Sequence, residues 1–155
     1  EQTGVPKRAD LNKVVRGLVN TLQRTPEGEH IAWDISIPGN ARVWISPADA
    51  TELLGNLLDN AVKWAGSRVS ISSGPASGIT IEDDGPGVAP EKLKALGQRG
   101  LRLDEQVAGN GLGLAIARDI VDAYQGELVF SRSKMGGLQV DVLLPSPNPD
   151  VVTEE

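Results

Sequence analysis

Apolar positions change period along the first third of the chain. Leu11, Val14, Val15, Leu18, Val19 and Leu22 recur at helical spacing behind Asp10, whose carboxylate suits an N-cap. The stretch TPEGE breaks that pattern. Ile31, Trp33, Ile35 and Ile37 then alternate strictly, which predicts a half-buried strand ending at the turn Pro38-Gly39-Asn40. Residues 43–45 predict a short strand continuing the same sheet. Ser46-Pro47-Ala48-Asp49 is a helix start: serine caps, proline suits the first helical position, and Asp49 sits where the acid of a capping box belongs. That helix runs to about Trp64 and stops near Gly66.

Further on, the pattern predicts strands at 68–72 and 79–83 around the turn SGPASG, and a short helix at about 90–96. A segment without periodicity follows. A strong helix at 112–124 then has Gly126 just beyond its end, and closing strands at 127–131 and 138–144 flank the turn KMGG. The order predicts an α+β fold, a two-layer sandwich with helices on one face of a mixed sheet. One domain is expected over residues 1–145, with the proline-broken, acidic residues 146–155 a disordered tail.

Composition narrows the function classes. The 155 residues are 39% hydrophobic and 23% charged, as in a globular domain. No apolar run approaches the roughly 20 residues of a membrane span. A net charge of −6 without a lysine- or arginine-dense run argues against nucleic acid as a partner. There is no cysteine for a disulfide or thiolate site, and the single His30, expected on a strand edge, cannot build a multi-histidine metal site. The chain opens Glu1-Gln2 and its one methionine is Met135, as expected of a piece of a longer polypeptide.

Three polar constellations remain. On the helix capped by Ser46, Leu53, Leu54, Leu57, Leu58 and Ala61 form the core stripe, while Glu52, Asn56, Asn60 and Lys63 share another face. Such a face is solvated in many helices. Asparagine is a poor helix former, however, and its amide offers an oxygen to a hard cation and an NH₂ to phosphate, for which lysine is a point charge. IEDDGPG places acids at a strand end with two glycines after them. It reads either as a tight turn or as a carboxylate that accepts from an exocyclic amine beside a backbone bare enough for a flat ring. GNGLG opens a helix and offers unpaired N–H groups to an anion, but its G-x-G-x-G spacing late in the chain is not the dinucleotide fingerprint.

NLLDNAVK, DDGPG and GNGLGL, in that order, resemble the N, G1 and G2 boxes of the ATP-binding domain of sensor histidine kinases, members of the Bergerat-fold (GHKL) ATPases. The resemblance covers about residues 10–145. It implies ATP and Mg²⁺ as cofactors, Asn60 as the Mg²⁺ ligand with Asn56 beside it, and Lys63 on the phosphates. Asp83 would bind the adenine amine, with Gly85 and Gly87 shaping the pocket. Gly109, Gly111, Leu112 and Gly113 would wrap the phosphates. The lid between the second and third boxes lacks the phenylalanines of many members and is similar instead to the arginine-bearing lid of PhoQ-type sensors. Arg99 or Arg102 is the candidate for stabilising the transferring phosphoryl group.

Related gyrase and Hsp90 types hydrolyse ATP with a glutamate four residues before the box asparagine, where this chain has Asn56. An amide cannot take a proton from water, so slow hydrolysis is expected, and Glu52, one turn earlier, is a solvated acid or an orienting group. His30 does not match the family's phosphoacceptor segment. The resemblance thus implies a histidine kinase module whose acceptor histidine lies on an upstream dimerisation hairpin, with a response regulator as partner. The parent would be a membrane-anchored homodimer of the bacterial inner membrane, and this fragment its cytoplasmic part, without direct membrane contact. A serine kinase of the anti-sigma class and a nucleotide sensor without transfer remain alternatives.

Overall fold

The computed structural model describes residues 8–74, 78–96 and 111–145. The elements run β1 (Ala9–Asp10), α1 (Leu11–Leu22), β2 (Ala32–Ser36), β3 (Arg42–Val43), α2 (Pro47–Trp64), β4 (Arg68–Gly74), β5 (Gly78–Asp83), α3 (Pro90–Leu96), α4 (Gly111–Ala123), β6 (Glu127–Arg132) and β7 (Leu138–Leu143). Five strands make one mixed sheet in the order β2-β4-β5-β7-β6, parallel only between β2 and β4. This is the expected two-layer sandwich.

Alternation decides which face the helices cover. Val69 and Ile71 of β4, Ile79 and Ile81 of β5, and Val140 and Val142 of β7 are buried against the helices. Their strand neighbours Ser70, Ser72, Thr80, Glu82, Gln139 and Asp141 form the polar opposite face, where the Thr80 hydroxyl donates to Asp141 at 2.6 Å. β2 follows suit at the edge: Trp33 and Ile35 pack on the core while Ala32, Asp34 and Ser36 are exposed. α2 is the central helix, lying against α1, α4 and β5 and burying Leu53, Leu54, Leu57 and Leu58 almost completely.

Two local expectations change. The segment after Asn40 does not extend the main sheet. Arg42–Val43 pairs antiparallel with Ala9–Asp10 as a separate two-stranded sheet, since Asp10 must stay extended to cap α1, which it does by accepting from Lys13 N–H at 3.1 Å. His30 is not on a strand either; it is exposed in the turn that precedes β2. Residues 146–155, expected to be a tail, lie outside the described residues.

Candidate nucleotide site

The two ends of α2 are fixed differently. At the start, Ser46 Oγ accepts from Asp49 N–H at 3.1 Å, as expected of a cap. Asp49 does not reach back to the Ser46 N–H. Tyr124, from the end of α4, stands between them: its hydroxyl accepts from Ser46 N–H at 3.4 Å and donates to the Asp49 carboxylate. At the other end, Asp84 accepts from the N–H groups of Gly66, Ser67 and Arg68 at 2.9, 2.9 and 3.0 Å and from the Ser67 hydroxyl at 2.8 Å. These donors, those of Ser67 foremost, hold the Asp84 carboxyl far below the usual range. Sequence reasoning assigned Asp84 no role. It staples the α2–β4 loop to the end of β5.

Along α2, Glu52 is exposed, and its carbonyl accepts from Asn56 Nδ2 at 2.8 Å. With the NH₂ engaged, Asn56 turns its oxygen toward Gly113 of α4, where a Cβ would stand 3.5 Å from Asn56 Oδ1. Asn60 is only 9% exposed, and its side-chain amide bonds none of the described residues. The amide is not one of the sealed polar atoms of the core, where Trp33 Nε1 is the one without a partner among the described residues, so it is open to water or a ligand. Lys63 is exposed, with its ammonium 3.6 Å from Asp59 one turn back. The carbonyl of Trp64, at the helix end, meets Gly85, where any Cβ would overlap it. From Asn56 to Trp64 is about 12 Å along the helix axis. The first motif therefore touches the third at one end and the second at the other.

Asp83 is 3% exposed. Its Oδ1 accepts from the N–H groups of Gly85 at 2.9 Å and Leu138 at 3.4 Å, and among the described residues nothing donates to Oδ2. Burial pushes this carboxyl above the usual range, the Gly85 and Leu138 donors oppose the shift, and the charge of Asp84 adds to it. One oxygen is thus spent on the fold while the other remains available to an external donor. Gly87 has a φ of +80°, which a side chain would strain, and a Cβ there would also stand 3.0 Å from the Gly136 carbonyl. The β6–β7 turn, Ser133 to Gly137, closes on the same strand end, a partner with no signature in the sequence.

Gly111 is the first residue of α4 and Leu112 the second, so this helix brings its N-terminal dipole beside the α2 polar face. Gly109, Arg99 and Arg102 lie outside the described residues. Among those described, no three His, Cys, Asp or Glu side chains gather as a metal site. A divalent ion held here by Asn60 would take most of its shell from phosphate oxygens and water, which suits Mg²⁺. Nor is any described helix long and apolar enough to cross a membrane.

Comparison with known proteins gives this geometry a family. The sensor protein kinase CarS of Pseudomonas aeruginosa is 45% identical over 139 residues, which are 88% of this chain and 31% of that protein. The sensor protein PhoQ of Escherichia coli is 40% identical over 136 residues, 86% of this chain and 27% of that one. The chain thus spans under a third of the length of these curated relatives. The solved histidine kinase domain of the Escherichia coli osmosensor EnvZ superposes with a TM-score of 0.66 at 34% identity, covering 95% of this chain and 92% of that one. The family model described as histidine kinase-, DNA gyrase B-, and HSP90-like ATPase matches residues 45–148, a span that takes in all three motifs. The chain belongs to that ATPase family.

Proposed function

We propose that this chain is the ATP-binding catalytic module of a two-component sensor histidine kinase. It binds Mg·ATP and passes the γ-phosphoryl group to a histidine on a dimerisation hairpin elsewhere in the parent polypeptide. The observation that carries this reading is a pair of polar groups that make no hydrogen bond with the described residues although the residues themselves are nearly buried: the amide of Asn60 on α2 and Oδ2 of Asp83 at the end of β5. Among the described residues the fully buried side-chain polar atom without a partner is Trp33 Nε1, on β2, so the Asn60 amide and Asp83 Oδ2 are not sealed in the core but stay open to a ligand.

In this reading Asp83 Oδ2 accepts from the adenine amine, and Gly85 and Gly87 keep the strand-end turn tight beneath the ring. Asn56, Lys63 and the start of α4 at Gly111, Leu112 and Gly113 face the phosphates, with Gly109 extending that wall. Asn60 holds Mg²⁺, which neutralises phosphate charge when bound. Arg99 or Arg102 meets the charge that develops on the transferring group. Glu52 orients water or the acceptor from the edge of the face. With an amide at position 56 there is no base to activate water, so ATP survives until an acceptor docks. The likeness to CarS, PhoQ and EnvZ, all named as sensors or kinases, favours a histidine acceptor over serine. It also supports a response regulator as downstream partner and a dimeric, membrane-anchored parent whose cytoplasmic side carries this module.

The test is equilibrium binding of ATP with and without Mg²⁺. Asp83→Ala should weaken ATP by about 1–3 kcal/mol in either condition, while Asn60→Asp should change chiefly the Mg²⁺-dependent part. Unaltered binding in both variants would remove the site from this wall of α2.

A further inference from the structure

We propose that the β6–β7 turn is a positioning device for Asp83, with Gly137 as the residue that aims its carboxylate. The proposal rests on reading Asp83 as the purine acceptor. Gly137 lies directly on that side chain: a Cβ there would overlap both Oδ1 and the carbonyl oxygen of Asp83 and stand 2.7 Å from Gly85 N. Its φ is not in the left-handed region, unlike that of its neighbour Gly136 at +104°. Position 137 therefore needs glycine for the space that the carboxylate occupies and not for its own backbone conformation.

The turn is built to hold that surface still. Gly137 N–H donates to the Asp83 carbonyl at 3.1 Å, and the next N–H, of Leu138, donates to Oδ1. Ser133, 3% exposed, donates its hydroxyl to Glu82 Oε1 at 2.7 Å and accepts from Met135 N–H at 2.9 Å. Its own N–H donates to the Gly137 carbonyl at 2.8 Å, and its carbonyl accepts from Gly136 N–H at 2.9 Å. The turn is thus clipped to both residues that end β5, by Ser133 on Glu82 and by Gly137 on Asp83. The N–H groups of Gly85 and Leu138 hold Oδ1, and Gly137 lies against the same oxygen, so the bare backbone at 137 leaves Oδ1 the room to make both bonds. Oδ2 is the atom left for the ligand.

Two nucleotides separate this role from a merely structural one: ATP, and purine riboside triphosphate, which has the same ring, sugar and phosphates but no 6-amino group. The folded protein should prefer ATP by roughly tenfold or more, the worth of an unreplaced hydrogen bond to a buried polar group. Gly137→Ala should reduce that preference severalfold by lowering ATP affinity, with purine riboside triphosphate held within about twofold of wild type. Ser133→Ala, which frees the turn from Glu82 without adding bulk, should reduce it in the same direction. Asp83→Ala is the reference. If it keeps the preference for ATP, the purine-acceptor reading fails. If Asp83→Ala loses the preference while Gly137→Ala keeps it, or loses both nucleotides equally, the positioning role alone fails. Should Gly137→Ala not fold, Ser133→Ala decides, and an unchanged preference there overturns the proposal.

Discussion

Asp83 and Asp84 are adjacent in the chain and held in opposite protonation environments, one by burial and the other by four donors from residues 66–68. Their effects on stability have opposite signs. The Asp83 carboxyl is raised, so above the ordinary carboxylate pKa the folded chain keeps a proton that the unfolded chain has lost. Stability therefore falls as pH rises through that window. Asp84 is lowered; its contribution is complete above the ordinary pKa and disappears as pH falls toward its folded value. Asp83→Asn keeps an oxygen for the Gly85 and Leu138 N–H groups and removes the buried charge, but turns an NH₂ toward the ligand. It should raise the stability of the nucleotide-free protein, with a margin over wild type that widens as pH rises above the ordinary carboxylate pKa, while weakening ATP about tenfold or more. Urea unfolding across pH, together with a binding titration, checks both halves. Loss of stability at neutral pH would contradict the assignment of burial as the dominant cause.

The same division between local and distant causes governs whole elements. α4 ends in a Schellman arrangement, with Gly126 N–H donating to Val121 O at 2.9 Å and Gln125 N–H to Asp122 O at 3.0 Å, yet the residue at positive φ is Gln125, at 60°. Gly126 is needed for another reason, since a Cβ there would overlap the Leu143 carbonyl of β7. Gln125→Gly should therefore stabilise the protein by up to about 1 kcal/mol in thermal or urea unfolding. Tyr124→Phe should cost about 1–2 kcal/mol by stripping Ser46 N–H and the Asp49 carboxylate of their shared hydroxyl. The periodicity of Leu53, Leu54, Leu57 and Leu58, the Ser46 cap and the Asp10 cap were legible in the sequence because each is settled within a turn or two of chain. The Tyr124 hydroxyl was not, because its bonds to Ser46 and Asp49 span 78 and 75 positions and no local pattern encodes them. For the same reason the local pattern of IEDDGPG pointed to an acid before two glycines, and only the resemblance of DDGPG to a family box singled out Asp83, while Gly137, Ser133 and Asp84 acquire meaning only after β5, β7 and the α2–β4 loop have met.

At the scale of the molecule, these encounters come from one sheet order. Placing β5 centrally, between β4 and β7, carries Asp83 under the end of α2 and the β6–β7 turn onto Asp83, while α4 brings Gly113 against Asn56. His30 is left out of that gathering: it is exposed in the turn before β2, an edge strand, with the whole of β4 between that strand and β5. In-line phosphoryl transfer requires the acceptor nitrogen to approach the γ-phosphorus within a few ångströms, so a histidine anchored at this edge is badly placed to receive phosphate from a nucleotide lying along α2. With γ-labelled ATP and Mg²⁺, the isolated chain should acquire no acid-labile label. Adding a histidine-bearing dimerisation hairpin from one of the similar sensor kinases should place the label on the hairpin, and Asn60→Ala should abolish that transfer. His30→Gln should leave it unchanged, because a surface imidazole outside the site contributes nothing to holding or passing the phosphoryl group. Label retained on His30 itself would mean that the sheet edge comes far closer to the nucleotide than the strand order allows.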